Sequence, residues 1–412
     1  MTPQNIDAAT LEFAREHRED DVRQLMLSQG RFPGIDMRMA ATQIEGWQLA
    51  RAKLPTWAAT DGVWFPPRLS MEQCSSEATA RYKQRFVPVA AGETLRLADL
   101  TGGFGVDAAM MACGRGFALL TVAEPSALLC TLLRHNLPLL GVVQSEVACT
   151  TAEQLLPTLP QQDLIMLDPS RRDAHGGKVV ELADCVPNIL EINDLLLQKS
   201  PLVLLKLSPM LDIRRAAQQL HGVAEIHVVS LEGECKELLV LLRRNALNVS
   251  DPRLFCVNLM QKPSQGGRTL LDPIIAFTAA EERSAVCHMA EEPQSWLYEP
   301  NASLLKAGAF RTVAMVFDVS PLAPSSHLYT SAEPVPNFPG RTFRIVGFST
   351  LQKQPLRQLL SGLQRANLTV RNFPQSVAEL RKRLHLGEGG DDYLFATTLS
   401  DGRKVIIRCR KP

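Results

Sequence analysis

At 412 residues the chain is too long for one ordinary core, and 45% apolar against 21% charged residues exclude disorder throughout. Its 44 Lys plus Arg and 43 Asp plus Glu give a formal net charge of +1, which taken whole argues against a polyanion partner. The balance is uneven: residues 341–412 hold 14 basic and 5 acidic residues, a net of +9, while residues 1–340 hold 30 basic and 38 acidic, a net of −8.

In chain order, residues 9–85 read as mostly helical. The run ATLEFAREHREDDVRQLMLSQ carries apolar residues without strand alternation, and Gly30 stops that helix. Further helices are expected over 38–53 and 71–86, either side of the Pro/Gly/Trp-rich LPTWAATDGVWFPP. An amino-terminal helical domain over 1–88 is the expectation. From residue 89 to 245 short apolar runs alternate with helical stretches. LRLADL (95–100), FALLTVAE (117–124), SEVACT (145–150), DLIMLDP (163–169), PLVLLKL (201–207), AEIHVVSL (224–231) and KELLVLL (236–242) are strand candidates. Helices are expected near 107–114, 126–139, 152–157, 181–199 and 211–220. Alternation of this kind implies an α/β fold with a parallel sheet covered on both faces. The link before residue 236 is too short for a crossover, so the last two strands form an antiparallel hairpin.

Residues 246–340 are rich in proline and read as a small α+β unit with long loops. Over 341–412 the pattern tightens: strands at 343–348 and 368–373, a helix over 355–366, and a second helix opened by Ser376 and Glu379 as a capping box. Strands at 393–399 and 403–409 flank the hairpin turn Asp401-Gly402. This basic βαβαββ domain carries the +9.

No apolar run reaches the roughly 18 residues of a membrane helix, and the first residues lack the basic-then-apolar pattern of a signal peptide. The nine cysteines are an odd number with wide spacing, which suits reduced thiols rather than a disulfide framework or a zinc knuckle. The eight histidines form no ligand cluster, so no metal is expected. A cytoplasmic, monomeric protein with no membrane association is the expectation.

The most informative run is Leu97-Ala98-Asp99-Leu100-Thr101-Gly102-Gly103-Phe104-Gly105-Val106-Asp107. It lies between a strand and a helix, where a glycine-rich turn lets the backbone approach a ligand. It is neither a dinucleotide GxGxxG nor a P-loop, and a nucleoside fits better. About twenty residues on, strand two ends in Glu124-Pro125, where a carboxylate can accept from ribose hydroxyls.

Asp99 to Gly105, DLTGGFG, resembles motif I of S-adenosylmethionine-dependent methyltransferases. The whole chain is similar to a group of class I methyltransferases with a small ferredoxin-like domain followed by a THUMP-like domain. The similarity rests on SMEQCSSE (70–77), LDPSRRD (167–173), LKLSPMLDI (205–213), EGECKELL (232–239), LYEPNASLLKAGAF (297–310) and GGDDYLFATTLSDGRKVIIRC (389–409). It implies a Rossmann-like seven-stranded sheet and S-adenosyl-L-methionine as cofactor. The cofactor would be held by Asp99, Thr101, Gly102, Gly103, Phe104, Gly105, Asp107, Glu124, Pro125, Ala152 and Glu153. Asp168, Pro169 and Ser170 fall at motif IV, beside the methyl group.

Three departures stand out. Thr101 replaces the first glycine of motif I, Thr151 stands where an Asp often contacts the adenine amino group, and the motif IV run Asp168-Pro169-Ser170-Arg171-Arg172 keeps the amine acceptors but lacks the aromatic platform of many base methyltransferases. Arg171 and Arg172 can stack on a base or fork onto a phosphate, or pair with Asp173, Glu181 or Asp184. Lys206, at the end of strand five, can touch substrate. With the basic tail, these features point to methylation of a nitrogen of an RNA base, in tRNA or rRNA. Rival readings are a fold that has lost activity and serves RNA binding or assembly, and a methyltransferase acting on a protein or small molecule.

Overall fold

The computed structural model describes residues 6–89, 94–113, 118–171, 181–247, 249–260 and 274–412. The chain divides into two compact units. One comprises Met1–Ile226, Glu237–Ser250 and Leu259–Gln265, the other His227–Lys236, Asp251–Asn258 and Gly266–Pro412.

The first unit opens with α1 (Ala8–Glu16), α2 (Val22–Leu27), α3 (Met37–Lys53), α4 (Pro55–Ala59), α5 (Arg68–Gln73) and α6 (Glu77–Lys83). The helix expected to run up to Gly30 is two helices, because the Asp21 carboxylate accepts from the amides of Arg23 and Gln24 at 2.8 and 3.1 Å and starts a new one. The helix expected over 71–86 is likewise split, with Ser76 capping α6 through the amide of Thr79 at 3.2 Å. Phe13, Leu25, Met37 and Ile44 bury the apolar faces of α1 to α3 against each other.

All seven expected strands form. The order is β1 (Leu95–Asp99), α7 (Val106–Ala112), β2 (Ala118–Ala123), α8 (Ala127–Leu139), β3 (Ser145–Ala148), α9 (Ala152–Leu155) and β4 (Leu164–Leu167). A two-residue β5 (Ser170–Arg171) then pairs antiparallel with β6 (Cys185–Val186), followed by α10 (Ile189–Lys199), β7 (Leu202–Leu207), α11 (Ile213–Gln219), β8 (Val223–Leu231) and β9 (Glu234–Arg243). Parallel ladders join β3 to β2, β2 to β1, β1 to β4 and β4 to β7, and β9 runs antiparallel to β7 from Leu202↔Arg243 to Leu207↔Leu238. Along the sheet these strands lie β8-β9-β7-β4-β1-β2-β3. Central β4, Leu-Ile-Met-Leu, is buried at every position, as a strand covered on both faces requires. The helix expected from 181 starts only at Ile189, because Cys185 and Val186 are spent on β6 and Asn188 caps α10 through the amide of Leu190.

β10 (Arg253–Leu259) and β11 (Ile275–Phe277) pair with each other and continue this sheet beyond β8. After α12 (Ala279–Ser284) come β12 (Trp296–Pro300), α13 (Ala302–Ala307), α14 (Phe310–Phe317), β13 (Ser320–Pro321), β14 (Tyr329–Ser331), β15 (Gly340–Thr350), α15 (Lys353–Leu359), β16 (Asn367–Val370), α16 (Val377–Leu384), β17 (Asp392–Thr398) and β18 (Lys404–Arg410). They build a second sheet in the order β13-β14-β12-β15-β18-β17-β16, so one sheet runs across residue 340. One cluster packs Leu297, Phe343, Phe395 and Ile407 together; the other seats α15 and α16 through Leu356 and Leu380 against Leu394, Ala396 and Ile406. Phe343, Phe348 and Phe373 all belong to these clusters.

Candidate functional site

The carboxyl ends of β1, β2, β4 and β7 bring together residues that are far apart in sequence. Leaving β1, the Asp99 carboxylate is 2% exposed and accepts from the Thr101 amide at 3.0 Å. Burial pushes Asp99 up to about 7, with Asp107 and Asp168 adding to the rise. Thr101 Oγ1 accepts from the Asp168 amide at 2.6 Å. The threonine that departs from motif I therefore ties the glycine-rich loop to the motif IV run, a bond no glycine can make.

The three glycines of the loop serve different ends. A Cβ on Gly102 would stand 2.3 Å from Val122 Cγ1, and one on Gly105 would stand 2.4 Å from Leu133 Cδ2, so these two let the loop pack inward. Gly105 also has φ +81°. A Cβ on Gly103 would meet only Thr101 O at 3.9 Å, so its outer side is open. The Gly103 amide donates to Glu124 Oε2 and the Ser126 amide to Glu124 Oε1, both at 2.8 Å. Glu124, 7% exposed, thus fixes the turn as well as offering carboxylate lone pairs to a ligand. An open glycine face beside a fixed carboxylate fits a nucleoside carrying an amino-acid tail.

At the ends of β4 and β7, Lys206 is bonded through its ammonium to Asp168 Oδ2 and lies 4.0 Å from Asp107 Oδ2. Burial alone would lower Lys206, but Asp168, then Asp107 and Glu237, outweigh it and hold the ammonium well above the usual lysine range. Asp107 is in turn bonded to the fully buried Lys83 of α6 at 2.9 Å. Burial would raise Asp107, yet Lys83 and then Lys206 hold it below the ordinary carboxylate value.

Other expected residues are less concentrated. Phe104 is buried and Pro125 exposed. Ala152 is buried at the start of α9 and Glu153 exposed beside it, behind a capping box from Thr151. Pro169 is half-buried; Ser170 enters β5 and donates from its hydroxyl to Val186 O at 3.4 Å. Arg171 is described in its backbone alone, as part of β5, and Arg172 and Asp173 lie outside the described residues. Glu181 is held by both Arg215 terminal nitrogens at 2.8 Å. Sequence reasoning missed Lys83, Ser75 and Glu237. Ser75 and Glu237 lie within SMEQCSSE and EGECKELL; Ser75 stands 8 residues from Lys83, but Glu237 reaches it across 154 residues of sequence.

Within the second unit, several cations of the basic tail are engaged internally. Arg341 and Arg371 both bind the buried Glu299, Arg408 and Arg410 bind Asp392, and Arg403 binds Asp401 and Glu292. Lys353 and Arg357 on α15 and Lys382 on α16 are exposed. Among the described residues no group of three or more His, Cys, Asp or Glu could hold a metal, and no helix is long and apolar enough to cross a membrane.

Family models match residues 296–339 as a ferredoxin-like domain and residues 340–411 as a THUMP-like domain. A crystal structure of a protein from Porphyromonas gingivalis W83, assigned as a methyltransferase, is 35% identical with a TM-score of 0.82 and covers 98% of this chain and 97% of its own. A SAM-dependent methyltransferase of Agrobacterium tumefaciens is 16% identical (TM-score 0.31, 50% of this chain, 60% of that one). TrmN of Thermus thermophilus is also 16% identical (TM-score 0.32, 42% and 51%); resemblance this low carries no weight. No curated protein matches the chain.

Proposed function

The chain belongs to the family of methyltransferase-fold proteins with ferredoxin-like and THUMP-like carboxyl-terminal domains, and from that premise we propose that it is an S-adenosylmethionine-dependent methyltransferase acting on a nitrogen of an RNA base, in tRNA or rRNA. The observation that carries this reading is the bond from the Asp168 amide to Thr101 Oγ1, which joins the open glycine turn to the acceptor run.

When bound, S-adenosylmethionine supplies a sulfonium-activated methyl group. Gly103 would leave room for its amino-acid portion, Glu124 would accept from its ribose, and Ala152 and Glu153 would border its adenine. Methyl transfer needs little acid–base help, so positioning and exclusion of water account for most of the rate. Lys206 holds Asp168 Oδ2, and Oδ1 then orients the acceptor nitrogen. Arg171 and Arg172 would contact the nucleotide, and the exposed cations of α15 and α16 its backbone.

Calorimetry with S-adenosylmethionine tests the cofactor half. Wild type should bind, and Gly103→Arg combined with Glu124→Ala should not; a wild type that fails to bind overturns the reading. Incubation with methyl-labelled cofactor and total cell RNA, with and without nuclease treatment, tests the substrate half, the expected result being label in nuclease-sensitive material. The internal pairing of Arg341, Arg371, Arg403, Arg408 and Arg410 favours a second reading, in which the acceptor is a protein or small molecule. Label that survives nuclease would select it.

A further inference from the structure

Five charged groups of the first unit alternate in sign: Glu237, Lys83, Asp107, Lys206 and Asp168. The ammonium of Lys83 is fully buried and donates to Asp107 Oδ1 and Glu237 Oε2, both at 2.9 Å, and to Ser75 Oγ at 3.2 Å. Ser75 Oγ donates to Asp107 Oδ2 at 2.6 Å, the oxygen that lies 4.0 Å from Lys206 Nζ. Exposure rises along the line, from 3% for the Glu237 side chain through 10% for Asp107 and 13% for Lys206 to 40% for Asp168. Glu237 Oε1 is buried and has no hydrogen-bond partner among the described residues.

Stability is a poor reason for such an arrangement. Charges taken out of water cost more than their mutual attraction returns unless geometry is excellent, and apolar replacements often hold a fold as well. A buried polar oxygen without a partner adds to that cost. The arrangement does have one consequence at the acceptor site: Asp107 is shared between Lys83 and Lys206, so the hold of Lys206 on Asp168 depends on how firmly Lys83 holds Asp107.

We propose that Lys83 and Glu237 are positioning residues of the acceptor site, acting on Asp168 through Asp107 and Lys206. The sharing fixes the signs. Without the Lys83 charge, Asp107 keeps Lys206 as its cationic partner and draws it away from Asp168. Without the Glu237 charge, Lys83 turns wholly onto Asp107 and frees Lys206 for Asp168. The other ionisable groups facing this line are Asp99 at the end of β1, which feels both Asp107 and Asp168, and Lys53 of α3 with Cys74, which feel Lys206.

The inference rests on reading Asp168 as part of the acceptor site, but its test needs neither cofactor nor RNA, so its failure is distinct from a failure in calorimetry. In Asp168→Cys the introduced thiol reports the local field. Its ionisation is followed by the pH dependence of iodoacetamide alkylation, read peptide by peptide by mass spectrometry so that the nine native cysteines do not interfere. Beside Lys206 the thiol should ionise below the ordinary value of about 8.5, and adding Lys206→Met should return it there. Adding Lys83→Met should raise it by about half a unit or more, Lys83→Arg should restore it, and Glu237→Gln should lower it. General loosening would move the Lys83 and Glu237 variants in the same direction, and that result, or no movement in variants folded by circular dichroism, overturns the proposal. Should Lys83→Met fail to fold, the isosteric Glu237→Gln decides alone: a downward shift supports it, and an upward or absent shift overturns it.

Discussion

Single positions in the loop make opposed demands. Gly105 has φ +81° and its missing Cβ makes room for Leu133, so Gly105→Ala should destabilise the protein by about 1–3 kcal/mol in urea unfolding. Gly103, at φ +53°, faces open space, so Gly103→Ala should cost about 1 kcal/mol but weaken S-adenosylmethionine binding in calorimetry by more than tenfold. Equal affinities for wild type and Gly103→Ala would remove the turn from the cofactor pocket. Asp99 makes a separate prediction. Its carboxyl is raised from 3.8 to about 7 by burial, so between those values the folded state binds a proton that the unfolded chain has released. This contribution is therefore present in full below about pH 4, is lost as pH rises through 7, and amounts to at most about 4 kcal/mol. In Asp99→Asn the group is gone, so the stability of wild type relative to the variant should fall between about pH 4 and pH 7 and level off above. A difference that stays constant over that range would contradict it.

Elements differed in how plainly the sequence announced them. Buried parallel strands are continuous apolar runs, and DLIMLDP or PLVLLKL can hardly be anything else between helical stretches; the short link before Lys236 settled the final hairpin by length alone. Helix ends were legible where a complete signal stood in sequence. Ser376 and Glu379 form the expected capping box, with the Ser376 amide donating to Glu379 Oε2 at 2.7 Å, and Ser376→Ala should lower the stability of the second unit by about 1 kcal/mol in thermal unfolding. The breaks at Asp21 and Ser76 were hidden because one capping side chain inside a charged, helix-compatible run gives no periodicity to interrupt. The candidate site divides along the same line. Asp99 to Gly105 and Glu124 are legible because a turn between a strand and a helix is local. Lys83 was not, since a lysine on a helix reads as solvated until the partners that bury it, Asp107 and Glu237, are brought to it by the fold.

On the scale of the whole molecule, the +9 of residues 341–412 overstates the field available to a polyanion. Glu299 is 4% exposed and lies outside that segment, yet it consumes two of the segment's arginines; Arg371 approaches it with two nitrogens at 3.0 and 2.8 Å. Arg371→Ala should therefore act on folding, destabilising the second unit by about 1–3 kcal/mol, with little effect on RNA binding beyond that. Removing the segment is a poor test of RNA presentation, because β15 to β18 share a sheet with β12 to β14 and their loss would leave that sheet open. The informative change is Lys353→Glu, Arg357→Glu and Lys382→Glu together, on the exposed surface of α15 and α16. If these cations neutralise phosphates, the triple variant should keep its melting temperature and bind total tRNA more than tenfold more weakly at low salt. Its plot of log affinity against log salt should be shallower by two to three, roughly one for each phosphate no longer neutralised. Unchanged affinity and slope would mean that the exposed cations of these helices hold no nucleic acid, and the acceptor would then have to be sought among proteins or small molecules.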